Sequence, residues 1–122
     1  MSNAINWFEI PVSDFNRAKK FYETILAAEM PVMEAMGMQS AFFPVDLQSG
    51  AIGGCIIKGA GYEPSAKGAL VYLNGGSDLN VILDRVTAAG GVITLPKTAI
   101  GKNGFMAHFT DSEGNKIGLH SA

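Results

Sequence analysis

Ser13, Asp14 and Asn16 return as Ser77, Asp78 and Asn80, and Ala18, Tyr22 and Ile25 return as Ile82, Val86 and Ala89. Gly50 and Gly54 return as Gly114 and Gly118, and every pair is 64 residues apart (77 − 13, 82 − 18, 118 − 54). One offset across a cap, a helix face and a turn marks two copies of one supersecondary unit. A chain of 122 residues holds one core and is too short for two independent domains. The expected organisation is a single domain over residues 1–122, with a first unit over about 5–58, a linker over 59–67 and a second unit over about 68–120.

Asn6 to Val12 alternates, with Phe8, Ile10 and Val12 on one face and Trp7, Glu9 and Pro11 on the other. Ser13 or Asp14 caps a helix whose apolar stripe is Phe15, Ala18, Tyr22 and Ile25. From Met30 to Met38 the pattern loosens. Met33, Met36 and Met38 read either as hairpin core or as a pliable wall over an apolar pocket. Ala41 to Asp46 and Ala51 to Lys58 read as strands turned at Gly50.

The second copy starts with a helix over about Asp78 to Ala89, stopped by Gly90-Gly91. A strand at Val92 to Pro96 and a loop at Thr98 to Gly104 lead to a strand at Phe105 to Thr110. Asp111 to Gly114 then has turn chemistry before a closing strand through Ile117 and Leu119. Phe105, Ala107, Phe109, Ile117 and Leu119 belong under the helices, so Met106, His108, Thr110, Lys116, Gly118 and His120 face the other way.

A formal net charge of −2 with no basic stripe argues against nucleic acid and anionic membrane as partners, and favours a neutral or mildly polar small ligand. The single cysteine, Cys55, excludes an internal disulfide and a cysteine-cluster metal site, and points to the cytoplasm. No apolar run reaches the roughly 18 residues of a membrane span, and the first residues lack the pattern of a signal peptide.

Val12-Ser13-Asp14 followed by Phe21-Tyr22, Ala89-Gly90-Gly91 and Asp111-Ser112-Glu113-Gly114-Asn115, set in tandem βαβββ units, resemble the vicinal oxygen chelate superfamily of glyoxalases, bleomycin-resistance proteins and extradiol dioxygenases. The resemblance implies an α+β fold in which two units curl a mixed sheet around a cavity, often completed by a second subunit. It also implies Gly after the first helix, where this chain has Ala27. The family holds its metal with His, Gln or Glu on the first and last strands of each unit. Those positions fall on Trp7, Gly54, Val71 (Leu70 with a slip of one) and Gly118, which offer no strong ligand for a divalent cation. No cofactor is expected, with a divalent metal left open only at an unconventional site.

The cavity face should gather Trp7, Glu9, Met33, Gly54, Met106, His108, Gly118 and His120 as ligand-binding residues, with Glu9 and His108 as the catalytic candidates. Burial would bring Glu9 toward neutral pKa, and histidine titrates there already. Each histidine also has a structural reading, and Cys55, with no charged neighbour in sequence, reads as an inert buried thiol. Three functions fit: a metal-free homodimeric protein binding a partly aromatic small molecule, which is the preferred expectation; a lyase, isomerase or oxygenase; and an interaction module.

Overall fold

The structure, a computed structural model, describes residues 3–122. The Asp14 side chain accepts from the Arg17 amide and opens α1 (Phe15–Leu26), and Asp78 accepts from the Asn80 amide and opens α2 (Leu79–Ala89). Around α1 run β1 (Trp7–Pro11), β2 (Val32–Ala35), β3 (Met38–Phe42) and β4 (Gly53–Lys58). Around α2 run β5 (Val71–Asn74), β6 (Val92–Ala99), β7 (Phe105–Thr110) and β8 (Lys116–Ser121). Both units are therefore βαβββ, and the fold is α+β. Each forms its own four-stranded mixed sheet, in the orders β1-β4-β3-β2 and β5-β8-β7-β6. The first and last strands of a unit pair in parallel, the others antiparallel.

The helix stripes bury Phe15, Ala18, Phe21, Tyr22 and Ile25 from α1 and Leu79, Ile82, Leu83 and Val86 from α2. They meet Ile10, Ala41 and Ile56 from the first sheet and Leu73, Ala107 and Leu119 from the second in one continuous core. At roughly 1.5–3 kcal/mol for each large apolar side chain buried, this shared core holds the two units together. The sheet faces turned away from the helices are the outer faces, and the candidate residues lie mainly there.

In the first unit β3 starts earlier than the expected strand at Ala41. Met36 and Gly37 both take positive φ (57° and 75°), the geometry of a two-residue hairpin turn, and this pairs Ala35 with Met38. The methionine segment is thus a hairpin, but Met36 is 91 % and Met33 51 % exposed, so within one chain they are not core. Met30 is the buried one. In the second unit β6 continues to Ala99 through two register shifts, between Ile93 and Leu95 and between Leu95 and Thr98, the second spanning Pro96, which has no N–H for the ladder. The expected loop at Thr98 to Gly104 shrinks to a turn at Gly101–Asn103. Ala27 ends α1 in the left-handed region (φ 52°), the conformation glycine takes at the end of α2 in Gly90.

The turn before β8 clamps the other unit. Tyr22 donates from its hydroxyl to Asp111 Oδ2 (2.6 Å), Asn115 Nδ2 donates to the Pro11 carbonyl (2.8 Å), and the Ser65 amide donates to Asn115 Oδ1 (2.9 Å). Glu113 accepts from the Ser13 and Asp14 amides (3.0 and 2.7 Å) and from Arg17 Nε (2.7 Å). Burial, and then the Asp111 carboxylate, pushes the Tyr22 phenol well above its ordinary range. For Glu113 burial acts upward, yet the hydrogen bonds from Arg17, Asp14, Ser112 and Ser13 outweigh it and hold the carboxyl below its ordinary value.

The ladders refine the repeat. The helix starts, Phe15 and Leu79, are 64 apart, but the parallel ladders of the two units are offset by 63. The bonds that end the parallel ladders run from Val12 N to Ile57 O and from Gly75 N to His120 O (75 − 12 and 120 − 57). The second unit has one more residue, in Gly75-Gly76, between ladder and cap. A one-residue change reverses strand parity. Gly54 and Gly118 are therefore not counterparts: Gly54 faces the helices, and Gly118 faces outward.

Candidate functional site

On the outer face of the first sheet, Trp7 stands beside Gly53, Glu9 beside Cys55, and Phe42 on the next strand. The Trp7 ring packs against Phe42 (centroids 5.9 Å apart), and a Cβ on Gly53 would lie 3.4 Å from Trp7 Cζ3. Next to this floor is a hollow of about 490 Å³ whose walls include Trp7, Pro31, Phe42, Val45 and Leu47. Glu9 is exposed, in place of the buried position expected for it. The Cys55 thiol lies 4.0 Å from Glu9 Oε2 and is buried. Burial, and then the Glu9 charge, pushes Cys55 up to about 11, so the inert reading of this thiol agrees with its surroundings. Tyr62, from the linker, stands close enough to Glu9 for the carboxylate, followed by burial, to raise its phenol.

On the outer face of the second sheet, parity gathers Tyr72 and Asn74 from β5, Met106 and His108 from β7, and Lys116, Gly118 and His120 from β8. Gly118 has no side chain because the Tyr72 ring occupies that space; a Cβ there would lie 2.5 Å from Tyr72 Cδ2. The Tyr72 hydroxyl is 2.7 Å from His108 Nε2, and it also donates to Met106 Sδ (3.8 Å). Burial, and then Lys116, lowers the His108 pKa, which favours the neutral imidazole as hydrogen-bond partner of the phenol. A hollow of about 590 Å³ opens beside Tyr72, Asn74, Ile100, Met106 and His120. A third, of about 820 Å³, lies between the two sheets, lined by Phe8, Leu26, Phe43, Val71 and Leu73.

The expected site residues are thus divided. Met106, His108, Gly118 and His120 share one face, whereas Trp7 and Glu9 lie on the other sheet. No hydrogen bond or ion pair joins Glu9 to His108 among the described residues. Met33 is on the edge strand β2, and Gly54 is turned inward, where a Cβ would lie 2.5 Å from the Phe8 ring and carbonyl. Tyr72, Asn74, Phe42 and Tyr62 complete these faces without having been singled out from the sequence. The signal for Tyr72 and Asn74 was the extra glycine at Gly75-Gly76, which shifts the face assignment of β5 by one.

With the strand offset of 63, the four metal-holding positions implied by the resemblance become Trp7, Cys55, Leu70 and Gly118, in place of Gly54 and Val71. An indole, an alkyl group, a glycine and a thiol that resists ionisation do not fit a divalent cation. Among the described residues, no group of three or more His, Cys, Asp or Glu side chains stands together.

The architecture matches known structures along its whole length. A glyoxylase/bleomycin resistance protein/dioxygenase domain from Frankia sp. EAN1pec is similar at 14 % identity and a TM-score of 0.72, with 97 % of this chain and 96 % of that one covered. The fosfomycin resistance protein FosX from Listeria monocytogenes is similar at 15 % identity and a TM-score of 0.66, covering 100 % and 92 %. A glyoxalase I mutant from Zea mays gives 15 % identity and a TM-score of 0.74, with 96 % of this chain aligned to 44 % of that one. No curated protein sequence matches the chain. Among the described residues, no helix is long and apolar enough to cross a membrane. The sequence itself matches one family over residues 4–119, which accounts for the paired units, their capped helices and the turn before β8: the chain belongs to the Glyoxalase/Bleomycin resistance protein/Dioxygenase superfamily.

Proposed function

We propose that this protein binds a small, partly aromatic molecule without a resident metal, and that it acts as a homodimer in the cytoplasm. The observation that carries the reading is Trp7: at a position where the family resemblance implies a metal ligand, it lays an indole against Phe42 and over Gly53 beside an open hollow. A flat apolar surface of this kind supports stacking of a planar ligand. The dimer accounts for the apolar side chains left open on one chain, including Val32, Met33, Met36 and Val92. Sedimentation at micromolar concentration tests it; a monomer would remove it.

Titration of Trp7 fluorescence with 1-naphthol tests the binding reading. The emission should change saturably, and Trp7→Ala should weaken binding by about 1 kcal/mol or more. If Trp7→Ala lowers the melting temperature and leaves affinity unchanged, Trp7 is a plug and the stacking reading falls. One zinc, nickel, iron or manganese per purified chain would overturn the metal-free part.

An enzyme of lyase, isomerase or oxygenase type is the second reading, favoured by the 2.7 Å contact between Tyr72 and His108, a pair through which a proton can pass. It requires Glu9 and His108 to act on one substrate from two different sheets.

A further inference from the structure

The hollow of about 590 Å³ on the second sheet has two polar side chains whose hydrogen-bonding ends are fixed by the backbone. Asn74 and His120 are register partners on β5 and β8, so they stand side by side on the same face. Asn74 Oδ1 accepts from the Gly76 amide (2.9 Å), which orients the carboxamide, and Nδ2, with its two hydrogens, has no partner among the described residues. His120 Nε2 is 2.7 Å from the Asn103 carbonyl oxygen. A carbonyl oxygen only accepts, so Nε2 carries the hydrogen, and in the neutral ring Nδ1 presents a bare lone pair. The hollow therefore offers one donor next to one acceptor, each held by a backbone group, between the apolar walls of Met106, Ile100 and the Tyr72 ring. Its volume suits a small organic molecule.

We propose that this hollow selects an uncharged planar ligand carrying an adjacent N–H donor and C=O acceptor, as in a lactam, an imide or a primary amide. The ligand N–H donates to His120 Nδ1, and its carbonyl accepts from Asn74 Nδ2. Asn74 is exposed and His120 half-buried in the free protein, so both are hydrated there. An analogue that lacks one half of the pair strips water from the group it covers without returning a hydrogen bond, and binds more weakly. The inference rests on the reading that this protein binds a small molecule, and places its polar recognition in a hollow that shares no lining residue with the one beside Trp7.

The test compares 2-quinolinone with N-methyl-2-quinolinone by calorimetry, alongside Trp7 fluorescence. The two share a ring system, but the second has no N–H. Wild-type protein should prefer 2-quinolinone by at least about tenfold. Asn74→Asp keeps the acceptor for the Gly76 amide and replaces the outward donor with a second acceptor, so the preference should collapse toward one while the melting temperature holds. His120→Gln should also erase the preference, and ¹⁵N spectra should show the His120 Nδ1 resonance moving when 2-quinolinone, but not its N-methyl analogue, is added. Equal affinities in the wild type, or a preference that survives Asn74→Asp, would overturn the proposal. If both lactams bind equally and quench Trp7, the binding reading stands and only this inference is lost. If neither binds and Trp7 is silent, both fall.

Discussion

The two sheets have the same strand order and pack on a shared core, yet their outer faces are chemically different. The first offers Trp7, Phe42, a buried Cys55 and one carboxylate, Glu9, approached by Tyr62 of the linker. The second offers a phenol, two imidazoles, an amide and Lys116, with no carboxylate among Tyr72, Asn74, Met106, His108, Lys116, Gly118 and His120. Corresponding places differ in kind: under the offset of 63, Glu9 matches Tyr72, Cys55 matches Gly118 and Ile57 matches His120. Two copies of a scaffold need to agree only where they face the common core. Their free surfaces are under no such constraint, and here one is largely apolar and the other rich in hydrogen-bonding groups.

The turns leading to β4 and β8 differ in the same way, and substitution there should give the largest contrast. Asp46 caps an exposed turn through Gln48, whereas Asp111 is buried and serves Tyr22, Glu113 and Asn115. Asp111→Ala should cost about 3–5 kcal/mol in urea unfolding, because buried donors lose a charged acceptor; Asp46→Ala should cost about 0.5–1 kcal/mol, the loss of an exposed cap. Equal costs would mean that the second turn does not clamp the units together.

Glu113 should come next. Its side chain is fully covered and takes bonds from Ser13, Asp14 and Arg17, so Glu113→Gln should cost about 2 kcal/mol near neutral pH. Its folded pKa is depressed, so this stabilisation is present above the ordinary carboxylate pKa of 4.5 and is lost as pH falls through the lower folded value. Wild type and variant should therefore converge in melting temperature at acid pH. A difference that is constant down to strongly acid pH would remove Glu113 as its source.

Gly118→Ala and Gly53→Ala separate the two faces more finely. A Cβ at Gly118 would press on the Tyr72 ring at 2.5 Å, and moving that ring breaks its 2.7 Å contact with His108. A cost of about 1–3 kcal/mol is expected, with a shift in the His108 imidazole resonances. At Gly53 the nearest atoms are the methyls of Leu47 and Val45, each at 3.0 Å, so the cost should be smaller and His108 unmoved. The smallest contrast is at the helix ends. Ala27→Gly should stabilise by about 0.5–1 kcal/mol by relieving a left-handed alanine, and Gly90→Ala should destabilise by about 1 kcal/mol or slightly more. The same sign for both would break the comparison.

Sequence alone determined the number of units, their βαβββ order and most of each helix-facing stripe, because these depend on local periodicity that each residue carries with it. It left the first cap between Ser13 and Asp14, where the structure chose Asp14. It also supplied the family, through motifs such as Asp111-Ser112-Glu113-Gly114-Asn115. The tertiary structure alone decided which side of β5 meets solvent. One extra residue at Gly75-Gly76 leaves α2 in phase with α1 while reversing strand parity, and only the ladder bonds of Val12 and Gly75 reveal the count. The same holds for the partners of His120 and Asn74, backbone groups of Asn103 and Gly76. In sequence a histidine shows neither which nitrogen holds its hydrogen nor what surrounds it; a carbonyl placed 2.7 Å from Nε2 by the fold settles the first, and the strands beside it settle the second.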